Sequence, residues 1–159
     1  MSLYFREINI NDVESLGNLF EINNRKEITD FFYAFPMSYK TAYEILTKAK
    51  KDKFFVAILD DQFIGFSMLR GFDEGFNIPS FGIFIDFLHQ NRRYGCKFII
   101  WVLNWADCNK IKSIRLSVNI DNKIALNLYQ SLGFIKTNEY KDKFNHLHLV
   151  MHRHLNNIL

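Results

Sequence analysis

The sequence contains few residues that cross-link or interrupt a chain, and no long hydrophobic run. It has two cysteines and two prolines in 159 residues. The longest uninterrupted apolar runs reach six residues, as in Phe98–Leu103, whereas a membrane-spanning helix needs roughly 20. The first residues also lack the basic and then apolar pattern of a secretion signal. We therefore expect a cytoplasmic protein without a membrane partner.

The two cysteines fall within one predicted helix. Twelve residues at a rise of 1.5 Å separate Cys96 from Cys108 by about 18 Å along such a helix. A disulfide requires Cα atoms within roughly 7 Å of each other, so these two cannot pair within the chain. Reduced cysteines suit a cytoplasmic location.

Charge of either sign is also limited. The chain has 20 Lys and Arg against 17 Asp and Glu, a net charge of +3, and no long basic block. This balance is compatible with a small anionic ligand and does not favour a nucleic-acid partner. A hydrophobic content of 48%, with 17 phenylalanines, is typical of a globular protein. The length predicts a single domain spanning residues 1–159.

The hydrophobic spacing predicts an α+β or mixed α/β fold. After a first strand, Asn11 is predicted to cap a helix with Glu14 as its capping partner. Apolar residues at helical spacing then continue to about Asn23. The predicted helices are 13–23, a short one within 25–38, 40–51, 95–108 and one ending at Gly133. The predicted strands are 3–8, 54–59, 63–69, 78–85, 113–118, 134–136 and 147–151.

One part of this pattern predicts a parallel strand pair. The strand Ile78–Ile85, the helix 95–108 and the strand Ile114–Val118 form a strand–helix–strand unit. Such a unit places its two strands parallel, with a right-handed crossover. The strands 54–59, 63–69 and 78–85 are most simply arranged as three antiparallel strands in a row. The prediction is a mostly antiparallel sheet of six to seven strands, flanked by helices, with one parallel βαβ unit.

A polar and basic turn follows the first strand of this unit. Ligands of open sheets bind beyond the carboxyl end of a strand that leads into a helix. Residues 86–96 occupy that place, and the N-terminus of the following helix favours an anion such as a phosphate. An ordinary solvated loop with surface arginines is the alternative interpretation.

Two motifs carry a resemblance to a known family. Gln90 to Gly95 is similar to the pattern Gln/Arg-x-x-Gly-x-Gly/Ala, with Arg93 in place of the first glycine. Downstream, Asn122 is followed after seven residues by Tyr129 and then by Gly133-Phe134. Together they resemble the GCN5-related N-acetyltransferase (GNAT) family, over nearly the whole chain. The resemblance is greatest to small bacterial members, some of which acetylate amino sugars.

The resemblance implies a GNAT fold that binds acetyl-CoA as co-substrate. Asn122 would contact the cofactor near its thioester, and Tyr129 would protonate the leaving thiolate. Without the resemblance, Tyr129 would be interpreted as core packing. The strand backbone would bind the pantetheine arm and the following loop the pyrophosphate. The implied cofactor-binding residues are Ile83, Phe84, Ile85, Gln90, Asn91, Arg92, Arg93, Tyr94, Gly95, Cys96 and Asn122.

The general base and the acceptor contacts have weaker signals. The cofactor strand contains no acid, so Glu74 in the preceding loop is the candidate base. Asp73 beside it is the reserve base and a candidate substrate contact. A solvated turn is the alternative for both. Phe32 and Tyr33, in an aromatic loop, are further candidate substrate contacts, or they fill the core.

Four histidines recur at a spacing of two near the end of the chain. Each pair of these histidines would point to one face of a strand, where the side chains can ligate a metal or form a polar strand face. The four residues are His146, His148, His152 and His154. No cysteine or second cluster supports a metal, so we favour the polar face and expect no metal site.

The predicted function is N-acetylation of the primary amine of a small molecule, such as an amino sugar or a nucleotide-linked amino sugar. The alternatives are acetylation of a protein N-terminus or lysine, and a catalytically silent module that binds acyl-CoA. The closing strands also permit a homodimer through the segment Phe144–Met151.

Overall fold

The computed structural model describes residues 1–155, which form one seven-stranded sheet with helices on both faces. The strands are β1 (Leu3–Glu7), β2 (Lys53–Leu59), β3 (Gln62–Arg70), β4 (Ser80–Ile85), β5 (Ser113–Asn119), β6 (Ile135–Lys141) and β7 (Leu147–His154). The helices are α1 (Val13–Ile22), α2 (Lys26–Thr29), α3 (Tyr39–Lys48), α4 (Tyr94–Cys108) and α5 (Lys123–Ser131). Short 3₁₀ turns lie at Ile10–Asp12 and Phe87–His89.

The sheet has the order β1-β2-β3-β4-β5-β7-β6. Every neighbouring pair is antiparallel except β4 and β5, which are parallel and joined by α4. The predicted fold class, a mostly antiparallel sheet with one parallel βαβ unit, is confirmed.

Two hydrophobic clusters hold the helices on the sheet. On one face, α4 and α5 pack against β2, β4, β5 and β7, and Phe98 stacks on Phe5 with ring centroids 5.0 Å apart. On the other face, α1 to α3 cover β2 to β4, and Phe20 meets Phe66 edge to face at 5.0 Å. Within residues 1–155 the core cluster of these helices includes no residue of β5 or β7.

The start of α1 differs from the prediction. Asn9, not Asn11, caps the chain here: its side chain accepts from the Asn11 N–H, and the Asp12 carboxylate accepts from the Asn9 N–H at 2.8 Å. The capping box therefore closes a 3₁₀ turn before the helix, and Glu14 has no part in it. Asp12 is placed there because it also accepts two hydrogen bonds from Arg6 on β1.

Other boundaries moved for local reasons. The helix predicted to reach residue 51 ends at Lys48, because the N–H groups of Lys50 and Lys51 donate to Asp73 instead. The strand predicted from residue 78 begins at Ser80, after Pro79, which has no N–H to donate. The strand predicted to end at residue 136 continues to 141, because it pairs with β7 along that length.

No helix within residues 1–155 combines the length and the apolar character needed to cross a membrane. Cys96 and Cys108 lie at opposite ends of α4 and are both free.

Candidate active site

The candidate site begins where β4 and β5 separate. The two strands share a single register pair, Ser80 with Arg115, and diverge beyond it. On its other edge β4 pairs with β3 along its whole length. Between the diverging strands lies a cleft of about 750 Å³, bounded by α4, α5 and the aromatic loop after α2. We call it the cofactor cleft.

The loop that follows β4 forms one end of this cleft. All of its predicted cofactor-binding residues except Arg92 line the cleft. Asn91 and Arg93 have left-handed backbone conformations, with φ of 61° and 62°. Arg93 therefore adopts the conformation that a glycine takes most easily. The N–H groups of the first turn of α4 follow it directly, as an anion site requires.

A buried polar network fixes this loop to α1. Asn23, which is fully buried, donates to the Asp86 carboxylate at 2.9 Å and accepts from the Phe87 N–H at 3.0 Å. The other oxygen of Asp86 lies 2.6 Å from Nδ1 of His89. The network thus holds the carboxyl end of β4, and with it the start of the loop, against the C-terminus of α1.

Tyr129 and Asn122 lie on the α5 side of the cleft. The Tyr129 ring packs edge to face on Phe81 and Phe134, with centroids 6.3 Å and 5.8 Å away. Burial raises the pKa of Tyr129 to about 12, so its hydroxyl is protonated at neutral pH. The side-chain oxygen Oδ1 of Asn122 caps α5 by accepting from the Ala125 N–H at 3.4 Å. Both residues line the cofactor cleft.

The two predicted aromatic contacts have different environments. Phe32 is buried, with its ring centroid 5.1 Å from that of Phe84, whereas Tyr33 is exposed; both line the cofactor cleft. The Tyr33 hydroxyl lies 3.3 Å from Nδ1 of His148, whose Nε2 is 2.9 Å from Asp142. This hydrogen-bonded chain ties the aromatic loop to β7. The interaction with His148 lowers the pKa of Asp142 to about 2.

Three of the four histidines lie within β7, and His146 precedes it. His148 and His152 point to the same side of β7, where Asp142 and Thr137 are their partners. Within residues 1–155, no three histidine, cysteine, aspartate or glutamate side chains meet in a group that could hold a metal ion.

A second cavity of about 670 Å³ lies at the amino ends of β4 and β5. Glu74 lines this cavity, so the structure does not place it in the same cavity as Tyr129. Asp73 lines neither cavity, and its carboxylate accepts from three backbone N–H groups after α3. The hydrogen bond from the Lys50 N–H is the largest cause that lowers the pKa of Asp73. Ser80 and Arg115, the register pair before the strands diverge, line the second cavity.

Sequence reasoning missed Asn23, His89 and the His148 partnership. Asn23 and Asp86 are 63 residues apart, and no local pattern marks such a pair. The spacing of two did place His148 and His152 on one strand face, but it carried no information about Tyr33, 115 residues away.

Comparison with known proteins decides the family. The model of the "Acetyltransferase (GNAT) family" matches residues 20–134. This range includes β4, β5, the loop Gln90–Cys96 and Tyr129. The chain belongs to the GNAT family. It is therefore an acetyl-CoA-dependent N-acetyltransferase. A comparison with curated protein sequences gives no match.

Solved structures with this GNAT fold resemble the chain over nearly its full length. A GNAT acetyltransferase from Streptococcus pneumoniae is 17% identical with a TM-score of 0.78, covering 98% of this chain and 100% of that one. The ribosomal-protein-S5-alanine acetyltransferase from Vibrio fischeri is 16% identical with a TM-score of 0.80, covering 99% and 95%. Spermidine N-acetyltransferase from Vibrio cholerae, solved with CoA and spermine, is 20% identical with a TM-score of 0.80, covering 96% and 95%. At these identities the likeness concerns the fold.

Proposed function

We propose that this enzyme transfers the acetyl group of acetyl-CoA to the primary amine of a small molecule, in a ternary complex and by direct attack. The observation that carries the proposal is the pair of cavities on either side of the point where β4 and β5 separate. A volume of about 670 Å³ for the second cavity is in the range typical of small-molecule sites. A peptide acceptor would require a more extended groove.

We assign each part of the cofactor to a different part of the cofactor cleft. The free edge of β4 at Ile83–Ile85 would pair with the amides of the pantetheine arm, because β5 has turned away there. The backbone N–H groups of the loop Gln90–Cys96 would bind the pyrophosphate, with the dipole of α4 favouring its charge. Arg92 and Arg93 would add positive charge, and Asn122 would lie near the thioester.

The reaction requires no intermediate on the enzyme. The lone pair of the amine would attack the thioester carbonyl and form the C–N bond. The C–S bond would then break with its electron pair leaving on sulfur, and the proton lost by the new amide nitrogen would balance the proton gained by that sulfur as the CoA thiol. A backbone N–H of β4 would stabilise the oxyanion between these two steps. This N–H is held in place by the pairing of β4 with β3.

Tyr129 is the proposed partner of the leaving sulfur. A phenol with a pKa of about 12 remains a hydrogen-bond donor throughout the neutral range. Complete transfer of its proton to a thiolate is uphill, because a thiol has a reference pKa near 8.5. We therefore infer that Tyr129 donates a hydrogen bond to the departing sulfur and does not transfer its proton fully before the C–S bond breaks.

Glu74 is the proposed general base. The acceptor arrives as an ammonium ion and must lose a proton before it can attack. Glu74 lines the second cavity, where the acceptor would bind, and its carboxylate lies 3.7 Å from Arg70. Asp73 is committed to backbone N–H groups, so Glu74 is the better placed of the two.

Calorimetry with acetyl-CoA, followed by thiol release, tests the proposed function. We expect binding, and release of CoA thiol with one class among amino sugars, amino acids, polyamines and peptides. Turnover of peptides alone would favour the protein N-terminal or lysine alternative. Binding without turnover of any amine would favour a silent acyl-CoA-binding module. Absence of acetyl-CoA binding would contradict the proposed function itself.

A further inference from the structure

The second cavity has an uneven distribution of charge. Its cationic lining residues are Arg70 and Arg115, and Glu74 is the single acid among its lining residues in the described part of the chain. His152 also lines it, and its pKa is lowered by burial and then by the charge of Arg115. The remaining walls include the apolar side chains Ala34, Met68, Phe76 and Ile78.

Arg70 is held by the protein itself. Its guanidinium donates to the Ala34 carbonyl at 3.2 Å and lies 3.7 Å from Glu74. It also lies 5.8 Å from the centroid of the Phe35 ring. These contacts orient Arg70 and balance its charge against that of Glu74.

Arg115 has no such partner. Within residues 1–155 its guanidinium forms no ion pair and no side-chain hydrogen bond. Across the β5–β7 pair it lies opposite His152, whose Nδ1 is engaged with Thr137 at 2.6 Å. The excess positive charge of the cavity therefore resides on Arg115. Arg115 is exposed to the open side of this cavity, and a guanidinium can bind a carboxylate or phosphate with two parallel hydrogen bonds.

The position of Arg115 places this charge close to the proposed reaction. Arg115 is the last β5 residue paired with β4, and Ser117, two residues further on, lines the cofactor cleft. Alternate residues of a strand point to the same face, about 7 Å apart. An anion bound by Arg115 would therefore lie on the side of the second cavity that adjoins the cofactor cleft.

We propose that the acceptor amine carries a carboxylate or phosphate group, which Arg115 binds in the second cavity. This inference rests on the proposed function and names the substrate class within it. A compact amino acid or an amino-sugar phosphate fits these dimensions and charges. A polyamine does not, because it would bring further ammonium groups against an unpaired guanidinium.

Matched acceptor pairs and one variant test the inference. The pairs are glutamate with its diester, and glucosamine 6-phosphate with glucosamine, with spermidine as the cationic acceptor. We expect kcat/KM for one anionic member to exceed that of its uncharged partner at least 10-fold. Preference for glutamate would identify a carboxylate, and preference for glucosamine 6-phosphate would identify a phosphate. Arg115→Gln should lower that preference at least 10-fold, mainly by raising KM for the anionic acceptor.

Controls separate this inference from the proposed function. Arg115→Gln should keep the affinity for acetyl-CoA within about threefold. Lys40→Gln, which removes one exposed positive charge on α3 outside both cavities, should leave the preference unchanged. If wild type fails to bind acetyl-CoA, the proposed function fails.

A binding measurement gives a readout independent of turnover. Glutamate and glucosamine 6-phosphate are titrated by calorimetry into the enzyme saturated with CoA. We expect one of them to bind wild type and to lose at least 10-fold in affinity with Arg115→Gln. The inference is overturned if neither anion binds the CoA complex, if Arg115→Gln binds them equally well, or if spermidine is the best acceptor.

Discussion

Arg93 has the backbone conformation of a glycine while carrying a long side chain. Its φ of 62° brings Cβ close to the following carbonyl, which costs a non-glycine residue roughly 1–2 kcal/mol. The family pattern has glycine at this position, so the loop keeps its shape with a different residue. The charge of the side chain and the strain of the backbone can therefore be separated by substitution.

Arg93→Gly and Arg93→Ala remove the same charge, but only glycine relieves the strain. We expect the free energy of unfolding of Arg93→Gly to be about 1 kcal/mol higher than that of Arg93→Ala. This difference includes the greater conformational freedom of glycine in the unfolded chain. Urea denaturation measures the difference. Equal stabilities would mean that the loop relaxes around the Cβ of the substituted alanine and that Arg93 stores no strain.

The proposed role of Tyr129 requires only its hydroxyl group, so Tyr129→Phe tests that role directly. We expect kcat to fall roughly 10²-fold while the affinity for acetyl-CoA stays within about twofold. Because the pKa of Tyr129 is about 12, its ionisation should not reduce wild-type kcat between pH 6 and 10. Tyr43→Phe, on the exposed surface of α3, is the matched control. An unchanged kcat in Tyr129→Phe would remove Tyr129 from the mechanism.

At the scale of elements, one buried amide joins α1 to the end of β4. Asn23→Ala deletes two donated hydrogen bonds and one accepted bond, and leaves Asp86 without its buried amide partner. We expect a loss of about 1–3 kcal/mol of stability, measured by urea denaturation. Asn24→Ala, one residue further on and exposed, should cost far less. Equal losses in the two variants would show that the buried network contributes no stability.

The elements that sequence predicted well are those with a regular hydrophobic period. The strand–helix–strand unit predicted the parallel pairing of β4 with β5, because a helical crossover returns the chain to the end of the sheet at which the first strand began. The prediction for α1 was wrong at its cap, since Asn9 and Asn11 have the same capping chemistry. Asp12, which is the partner of Asn9 in the capping box, is fixed by its hydrogen bonds from Arg6 on β1. The length of β6 also depended on its partner strand.

In the candidate site, too, the residues within sequence motifs were predicted, and those that depend on the tertiary fold were not. Motif spacing predicted the loop Gln90–Gly95 and Tyr129, and the structure brings both to one cleft. Spacing could not show that Glu74 lies in a different cavity, because that depends on the turn after β3. The side-chain network of Asn23 and Asp86 depends on residues brought together only by the complete fold.

For the whole molecule, the exposed edge of the sheet at β6 affects how two copies of the chain can associate. All seven residues of β6 are exposed at one edge, and Phe144 in the following turn is 69% exposed. Edge strands with lysines, as at Lys136 and Lys141, resist pairing with another sheet. The homodimer through Phe144–Met151 stays a prediction, and the charged edge favours packing through side chains over continuation of the sheet.

Acetyl-CoA binding should stabilise the whole fold, because the cofactor would fill the gap between two halves of one sheet. β4 and β5 share a single register pair, so little backbone pairing joins strands β1 to β4 with strands β5 to β7. At a concentration 100 times its Kd, a ligand specific for the folded state adds about 2.7 kcal/mol. For a chain of this size we expect Tm to rise by roughly 5–10 °C.

Hydrogen exchange locates this effect and distinguishes it from general stabilisation. Those amides of Ile83–Ile85 that face away from β3, and the amides of the loop Gln90–Cys96, should exchange more slowly with CoA bound, because the ligand accepts their hydrogen bonds and closes the gap. The amides of β1 and β2, which are already paired in a continuous antiparallel sheet, should change little in conditions where exchange occurs by local opening. Uniform protection, or protection confined to the second cavity, would contradict the placement of the cofactor between β4 and β5.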